Sequence, residues 1–310
     1  MSNPLVTVLT PCYNGEKYLD KYFESILNQD YDNIQLILVN DGSTDKTVDI
    51  VESYREKLEK ELTDFVFITQ ENQGQASACK NALPLVKGKY LIWPDVDDIL
   101  TDNAISYKVD FLQSNPQYGY CRANAQCIDE NGNKGTIFVR HNMDKHYLFE
   151  DFITQNDING WAGVHMMDFD LFKEVNPNLD FYVGRGGQNW QFLLPIAYKN
   201  KCGFINEIQY YYLIHTDSHS HSNNTYEKEY NYTVDQEKII RETLRILNLT
   251  DEEKAYYDKL IDDKYYHLRY SLSWVYKDKS YKQNFKELRK NSNVTIAEVV
   301  KYIIMLLRVR

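Results

Sequence analysis

The chain is poor in the residues that mark several large protein classes. It has five cysteines in 310 residues. Cys12, Cys79, Cys121, Cys127 and Cys202 are scattered and form no C-x-x-C pair. That excludes a disulfide framework and a finger-type zinc site, and it points to free thiols in a reducing compartment. Glycine and proline are modest, at 13 and 7 residues, so collagen-like and low-complexity readings fall. No stretch reaches the roughly 18 consecutive apolar residues of a membrane-spanning helix. Met1–Pro11 has neither the basic nor the apolar region of a secretory leader, so a cytoplasmic setting is expected. Basic residues are outnumbered, with 35 Lys+Arg against 45 Asp+Glu. A formal charge of −10 argues against a dedicated nucleic-acid binder, which needs a cationic footprint for phosphates.

What is present is a globular composition, 43% hydrophobic and 26% charged, long enough for one large domain or two ordinary ones. The first hundred residues alternate between two periods. Leu5–Thr10 and Ile34–Val39 are short apolar runs that suit parallel strands covered on both faces. Phe65–Thr69 and Tyr90–Trp93 read as further strands. Glu16–Leu27 carries apolar residues at helical spacing, a second helix follows Ser43 or Thr44 as its cap, and Gln75–Val86 is a third helix. This alternation predicts an open α/β sheet. In such sheets ligands bind at the carboxyl ends of strands, which singles out Pro11–Gly15, Asn40–Asp45, Glu71–Gln75 and Asp95–Asp98. Further on, Tyr118–Ile128, Thr136–Arg140 and Ile208–Ile214 read as strands, with a turn at Asn131-Gly132-Asn133. Gln188–Tyr198 reads as a helix after the glycine-rich segment Gly184–Gly187. The polar run Thr216–Thr225 marks a boundary. The expected organisation is an α/β domain over 1–222 and a helical C-terminal extension over 223–310, with helices at Tyr226–Leu247, Asp251–Tyr276 and Tyr281–Leu288. Tyrosines along these helices suit a helical core or stacking against carbohydrate.

Two constellations carry chemistry. Asp41-Gly42-Ser43-Thr44-Asp45 follows the second strand directly, where its carboxylate can accept hydrogen bonds from a base or ribose or act as an ordinary turn and cap. Asp95-Val96-Asp97-Asp98 ends the fourth strand. Three carboxylates there repel one another unless a cation or capping donors compensate. One or two carboxylates together with substrate phosphates make a hard-oxygen site for Mg or Mn. Asp98 or Asp102 as a helix cap would explain one carboxylate, not three. His215, His219 and His221 match no zinc pattern. One of them joining the Asp97 metal site is the better reading. There is no phosphate-loop motif G-x-x-x-x-G-K-S/T, no dinucleotide fingerprint after the first strand and no G-x-S-x-G.

Val8-Leu9-Thr10-Pro11-Cys12-Tyr13-Asn14-Gly15-Glu16, Leu38-Val39-Asn40-Asp41-Gly42-Ser43-Thr44-Asp45, Asn72-Gln73-Gly74-Gln75 with Lys80-Asn81, and Asp95-Val96-Asp97-Asp98 together resemble glycosyltransferase family 2 in order and spacing. The resemblance implies the GT-A fold, a Rossmann-like nucleotide-diphospho-sugar domain, and inverting sugar transfer to an acceptor hydroxyl. It implies that Pro11, Tyr13, Asn14, Glu16, Asp41, Gly42 and Ser43 line the nucleoside pocket. Asn72, Gly74, Gln75 and Lys80 form the next nucleotide-proximal segment. Asp95 and Val96 face the ribose or metal, and Asp97 is the metal ligand, with His215 and Asp95 as further candidates. The late segment Tyr212-x-x-His215 resembles the family's Tyr-Arg-x-His, with Leu213 in place of the arginine. A departure falls at Gly187-Gln188-Asn189-Trp190, where the family places carboxylates that include the general base. Amides do not titrate near neutrality. Gln188 and Asn189 are therefore expected to orient ligands, with Asp180 and Asp217 as candidate bases.

The leading expectation is a transferase that uses a UDP-sugar and a divalent cation (Mn or Mg) in bacterial polysaccharide or glycoconjugate synthesis, with a carbohydrate or lipid-linked glycan as acceptor. A nucleotide-sugar-binding scaffold with little turnover is favoured by the amide pair. Against a nucleotidyltransferase, which also uses an acidic metal site on an α/β sheet, stands the absence of a glycine-rich basic loop after the first strand. In Val294–Arg310 the apolar residues Ile296, Val299, Val300, Ile303, Ile304, Leu306 and Leu307 are accompanied by Lys301, Arg308 and Arg310. That stretch suits packing on the helical tail, a homodimer contact, or peripheral attachment at the inner face of a membrane.

Overall fold

The computed structural model describes residues 3–138, 144–156, 160–184, 186–214 and 225–308. The chain divides into two compact units, residues 1–215 and 216–310. The expected boundary at 222–223 lies outside the described residues.

The first unit runs β1 (Val6–Cys12), α1 (Leu19–Leu27), β2 (Ile34–Asp41), α2 (Thr47–Glu61), β3 (Asp64–Gln70), α3 (Gln75–Ala82), a 3-10 turn at Leu83–Leu85, β4 (Tyr90–Ile92), β5 (Ile99–Leu100), α4 (Ala104–Ser114), β6 (Tyr118–Asp129), β7 (Lys134–Phe138), α5 (Phe149–Thr154), β8 (His165–Asp168), α6 (Phe169–Val175), α7 (Gln188–Lys199) and β9 (Lys201–Ile214). The strands form one sheet in the order β3-β2-β1-β4-β8-β6-β9-β5, with β7 added on β6. The β3-β2-β1-β4 half is parallel, and β8 turns the sheet antiparallel between β4 and β6. Every residue of β1 and β2 is buried, as continuous apolar runs require when helices cover both faces. The register pairs Cys12 with Asn40 and Asp41 with Gln70, so three strands end level with one another. Thr10 Oγ1 donates to the Pro94 carbonyl at 3.0 Å, which brings the end of β4 to the same rim.

Three sequence expectations are corrected here. The second helix starts at Thr47, not at a Ser43 or Thr44 cap, because the Ser43 and Thr44 hydroxyls are tied to Asn14 in the first loop and Asp45 Oδ1 accepts from the Thr47 N–H at 3.0 Å. Asp98 caps no helix, because β5 follows it. The last strand begins at Lys201, seven residues earlier than Ile208, because it runs along β6 with register shifts that hide its alternation.

The second unit holds α8 (Tyr226–Arg245), α9 (Asp251–Val275), α10 (Tyr281–Asn291) and α11 (Ile296–Arg308). Helix α9 opens on a capping box between Thr250 and Glu253, a sequence-readable start. Arg241 on α8 reaches Glu237, Asp258 and Asp262, joining α8 to α9. Tyr265, Tyr270 and Tyr281 are buried, so these tyrosines belong to the helical core, although Tyr232 and Tyr256 stay exposed.

Candidate active site

The loops that leave β1 and β2 are built as one object. Asn14 sits at φ +52°, a left-handed conformation that asparagine tolerates through local hydrogen bonding. Its N–H donates to Ser43 Oγ at 2.9 Å and its Oδ1 accepts from the Thr44 N–H at 2.8 Å. The Gly15 N–H donates to Thr47 Oγ1 at 2.8 Å and the Glu16 N–H to Asp45 Oδ2 at 3.0 Å. Glu16 Oε2 in turn accepts from the Lys46 N–H at 3.2 Å. Burial raises the Asp45 carboxyl, but hydrogen bonds from Thr47 and Glu16 outweigh it and hold the group below the usual carboxylate range. Beside these ties, Pro11 is buried and Tyr13 stands half exposed at 50%. The ring of Tyr13 is therefore available to a ligand.

Asp41 binds the third loop. It is 3% exposed, and Oδ1 accepts from Gln70 Nε2 and the Gln73 N–H, each at 2.8 Å. Oδ2 accepts from the Gly74 N–H at 2.8 Å, and a carboxylate oxygen has capacity for one more bond. The residue expected to face a nucleoside thus also shapes the wall around it. Gly42 is required by its surroundings: at φ +71°, an added Cβ would lie 2.7 Å from the Asn72 nitrogen. Gly74, at φ +92°, opens α3. Asn72 and Gln75 are exposed beside it. Lys80 on α3 pairs with Asp180 at 3.5 Å. Asp180 is further bracketed by Asn176, which accepts its N–H and donates to its carbonyl, each at 2.9 Å. Those two bonds hold the Asp180 backbone, and its carboxylate stays half exposed beside Lys80.

The acidic motif separates into two roles. Asp98 is 3% exposed and accepts from the Tyr210 hydroxyl at 2.6 Å and the Leu213 N–H at 2.8 Å. It pins β9 to the end of β4. Burial, reinforced by the charges of Asp97 and Asp95, pushes its carboxyl well above the usual range. Asp95 is pushed up to about 7, by burial first and by Asp97 second. Such a shift means that like charges meet in a poorly solvated place, and a cation there would relieve it. With Asp98 committed to the fold, Asp95 and Asp97 are left as hard-oxygen donors. Asp97 and Val96 also line a cavity of about 500 Å³ with Lys17, Tyr18, Lys21 and Leu213. Among the described residues no group of three His, Cys, Asp or Glu side chains could hold a metal by itself. Two carboxylates are a hard-oxygen donor set of the kind that shares an ion with substrate phosphates. His215, His219, His221 and Asp217 lie outside the described residues.

Helix α7 meets this rim at its first turn. Gly187, at φ +82°, begins it. Asn189 Oδ1 accepts from Trp93 Nε1 at 3.0 Å, two residues before Asp95. Gln188 is buried at 5% exposure. Trp93 packs on Phe192 at 4.6 Å between ring centroids and lies parallel to His165 at 6.2 Å. Sequence reasoning passed over Trp93 and Tyr210. The available signals were a Trp-Pro pair leading into the acidic motif and a tyrosine pair before Tyr212.

The sheet is parallel until it switches direction at β8, with loops and carboxylates gathered at one strand rim, the place where open α/β sheets bind ligands. The model of glycosyl transferase family 2 matches residues 7–175, and the chain belongs to that family. It is similar to an uncharacterized glycosyltransferase of Haemophilus influenzae, 36% identical over 115 residues, which are 37% of this chain and 45% of that protein. It is also similar to the minor teichoic acid biosynthesis protein GgaB of Bacillus subtilis, 28% identical over 218 residues, covering 69% of this chain and 23% of that protein. The chain thus spans less than half of either relative's length. Among solved structures, that of Staphylococcus aureus TarS residues 1–349 in complex with UDP-GlcNAc superposes with a TM-score of 0.62 at 18% identity, over 97% of this chain and 79% of that one. The fold is GT-A with additional C-terminal helices, as the resemblance implied.

Proposed function

We propose that the chain transfers a sugar from a UDP-sugar to an acceptor hydroxyl, with inversion, in the assembly of a bacterial surface glycan. The observation that carries this reading is the convergence at one rim of the interlocked β1 and β2 loops, the Asp41-held β3 loop and the Asp95/Asp97 pair. The solved relative's complex with UDP-GlcNAc and the teichoic-acid relative support the donor and acceptor classes.

The nucleoside lies along Pro11, Tyr13 and Asp41, whose Oδ2 has capacity for a base N–H. The β3 loop, with Asn72, Gly74 and Gln75, closes the other side, and Lys80 lies toward the phosphates. Asp97 and Asp95 would hold Mn²⁺ or Mg²⁺, which when bound stabilises the charge growing on the leaving diphosphate. His215 is the proposed third protein ligand. Asn189, its oxygen fixed by Trp93, offers its amide N–H to the donor sugar or acceptor. The buried Gln188 supports that turn. The general base is assigned to a carboxylate outside the amide pair, Asp217 or Asp180. A positioned base contributes about 10²–10⁴-fold. The amide pair also favours a second reading, a nucleotide-sugar-binding partner with little turnover. Release of nucleoside diphosphate from a panel of nucleotide sugars, with Mn²⁺ or Mg²⁺ and with chelator, separates the two. Metal-dependent turnover supports transfer, and saturable UDP binding without release supports the binding partner.

A further inference from the structure

Helix α11 has two faces of opposite character. On one, Tyr302 stacks on Phe285 at 4.1 Å between ring centroids, Glu298 accepts from His267, and Met305 is 3% exposed. On the other, Ile296, Val300, Ile303 and Leu307 are 86, 48, 49 and 66% exposed. Val299 and Leu306, also exposed, continue this stripe toward Tyr302. A contiguous apolar stripe on a water-facing helix marks an interaction surface.

Beside it, Lys282, Lys286, Arg289 and Lys290 of α10 surround a cavity of about 480 Å³ walled by the rings of Phe285 and Tyr302. Tyr302 belongs to α11, so the cationic cavity adjoins the apolar stripe. The only carboxylate on α10, Glu287, is engaged by Gln283 at 2.7 Å. This cationic patch stands in a chain of formal charge −10. We propose that α10 and α11 together form a docking surface for an anionic lipid bilayer. The stripe enters the boundary between headgroups and acyl chains, and the four cations meet lipid phosphates. Helix α11 has 13 residues, about 20 Å, and no helix among the described residues is long and apolar enough to cross a membrane. It therefore lies in the interface plane. A second copy pairing through the same face about a two-fold axis would set the cationic cluster against itself, which disfavours that occupant.

The test is flotation of the full chain with vesicles of phosphatidylcholine, with and without phosphatidylglycerol. Binding to the anionic vesicles only, weakened by 0.5 M salt, is expected. Ile303→Asp should abolish it. Lys286→Gln/Lys290→Gln should reduce partitioning about thirtyfold, from about 1 kcal/mol per surface cation. These side chains are exposed, so both variants should keep the parent's melting temperature and UDP binding. Absence of flotation, or equal flotation on neutral vesicles, overturns the proposal. So does a concentration-dependent dimer without flotation that Ile303→Asp dissociates, since it assigns the face to a second copy.

Discussion

Replacing Asp98 and Asp97 in turn separates scaffold from chemistry within one motif. Asp98→Ala deprives the Tyr210 hydroxyl and the Leu213 N–H of their acceptor, both in a buried place. Hydrogen bonds to a charged group contribute about 1.5–3 kcal/mol each. Against this stands relief of a costly buried charge, since burial and two neighbouring carboxylates all disfavour ionised Asp98. The net expectation is a loss of about 2–4 kcal/mol. For a unit of this size that is a fall of about 4–16 °C in melting temperature. Asp98→Asn keeps the shape and one acceptor and should lose roughly half as much. Asp97→Ala removes a partly exposed side chain from the cavity wall and should change stability by less than about 1 kcal/mol. Thermal unfolding of the three variants without ligand is the assay. If Asp98→Ala melts with the parent, or if Asp97→Ala falls as far, the division of roles is wrong.

Lys108 is fully buried, with Nζ 3.3 Å from the Ala104 carbonyl and from Gln209 Oε1, and burial brings its pKa down to about 8, against a small opposing contribution from Cys121. Its folded pKa lies below the ordinary value near 10.4, so the unfolded chain binds more protons between the two, and this residue's cost is full below pH 8 and fades as pH rises. Lys108→Met should therefore be more stable by about 1–3 kcal/mol at pH 7, with the gap closing toward pH 10 in denaturant titrations. A gap that does not change with pH would refute this. Gly42→Ala should lower stability by about 1–3 kcal/mol and weaken UDP binding, measured by calorimetry, because the added Cβ strikes the Asn72 nitrogen at 2.7 Å. Asn189→Ala leaves the buried Trp93 N–H without its acceptor and should cost about 1–3 kcal/mol. The acidic limb of the pH–rate profile should survive that change, whereas a variant of the true base, tested as Asp217→Asn and Asp180→Asn, should remove it.

The parallel half of the sheet was legible because β1 and β2 are short, mostly apolar, β-branched-rich runs with no alternation, the pattern of strands covered on both faces. The rim was legible because strand ends and glycines coincide at Asn14-Gly15, Asp41-Gly42 and Gly74. The other half was not. His165–Val175 packs a four-residue strand against a seven-residue helix, too short for either period to declare itself. The bulges of β9 against β6 erase alternation. Adjacent aspartates are indistinguishable in sequence, yet only tertiary contacts from Tyr210 and Leu213 make Asp98 structural. Asp41 shows the same limit, since its hold on Gln73 and Gly74 depends on a register that no local pattern encodes. Helix α11 could be read as apolar, but which of its faces stays uncovered is decided by α9 and α10.

The central claim is tested most directly by mixing the purified chain with UDP-sugars and Mn²⁺ and measuring free UDP, alongside Asp97→Ala. The account predicts metal-dependent UDP release from at least one donor, lowered at least a hundredfold by Asp97→Ala, a loss of about 2.7 kcal/mol of transition-state stabilisation, while the variant keeps its melting temperature. UDP release that Asp97→Ala leaves unchanged, or release that is indifferent to chelator, would contradict it.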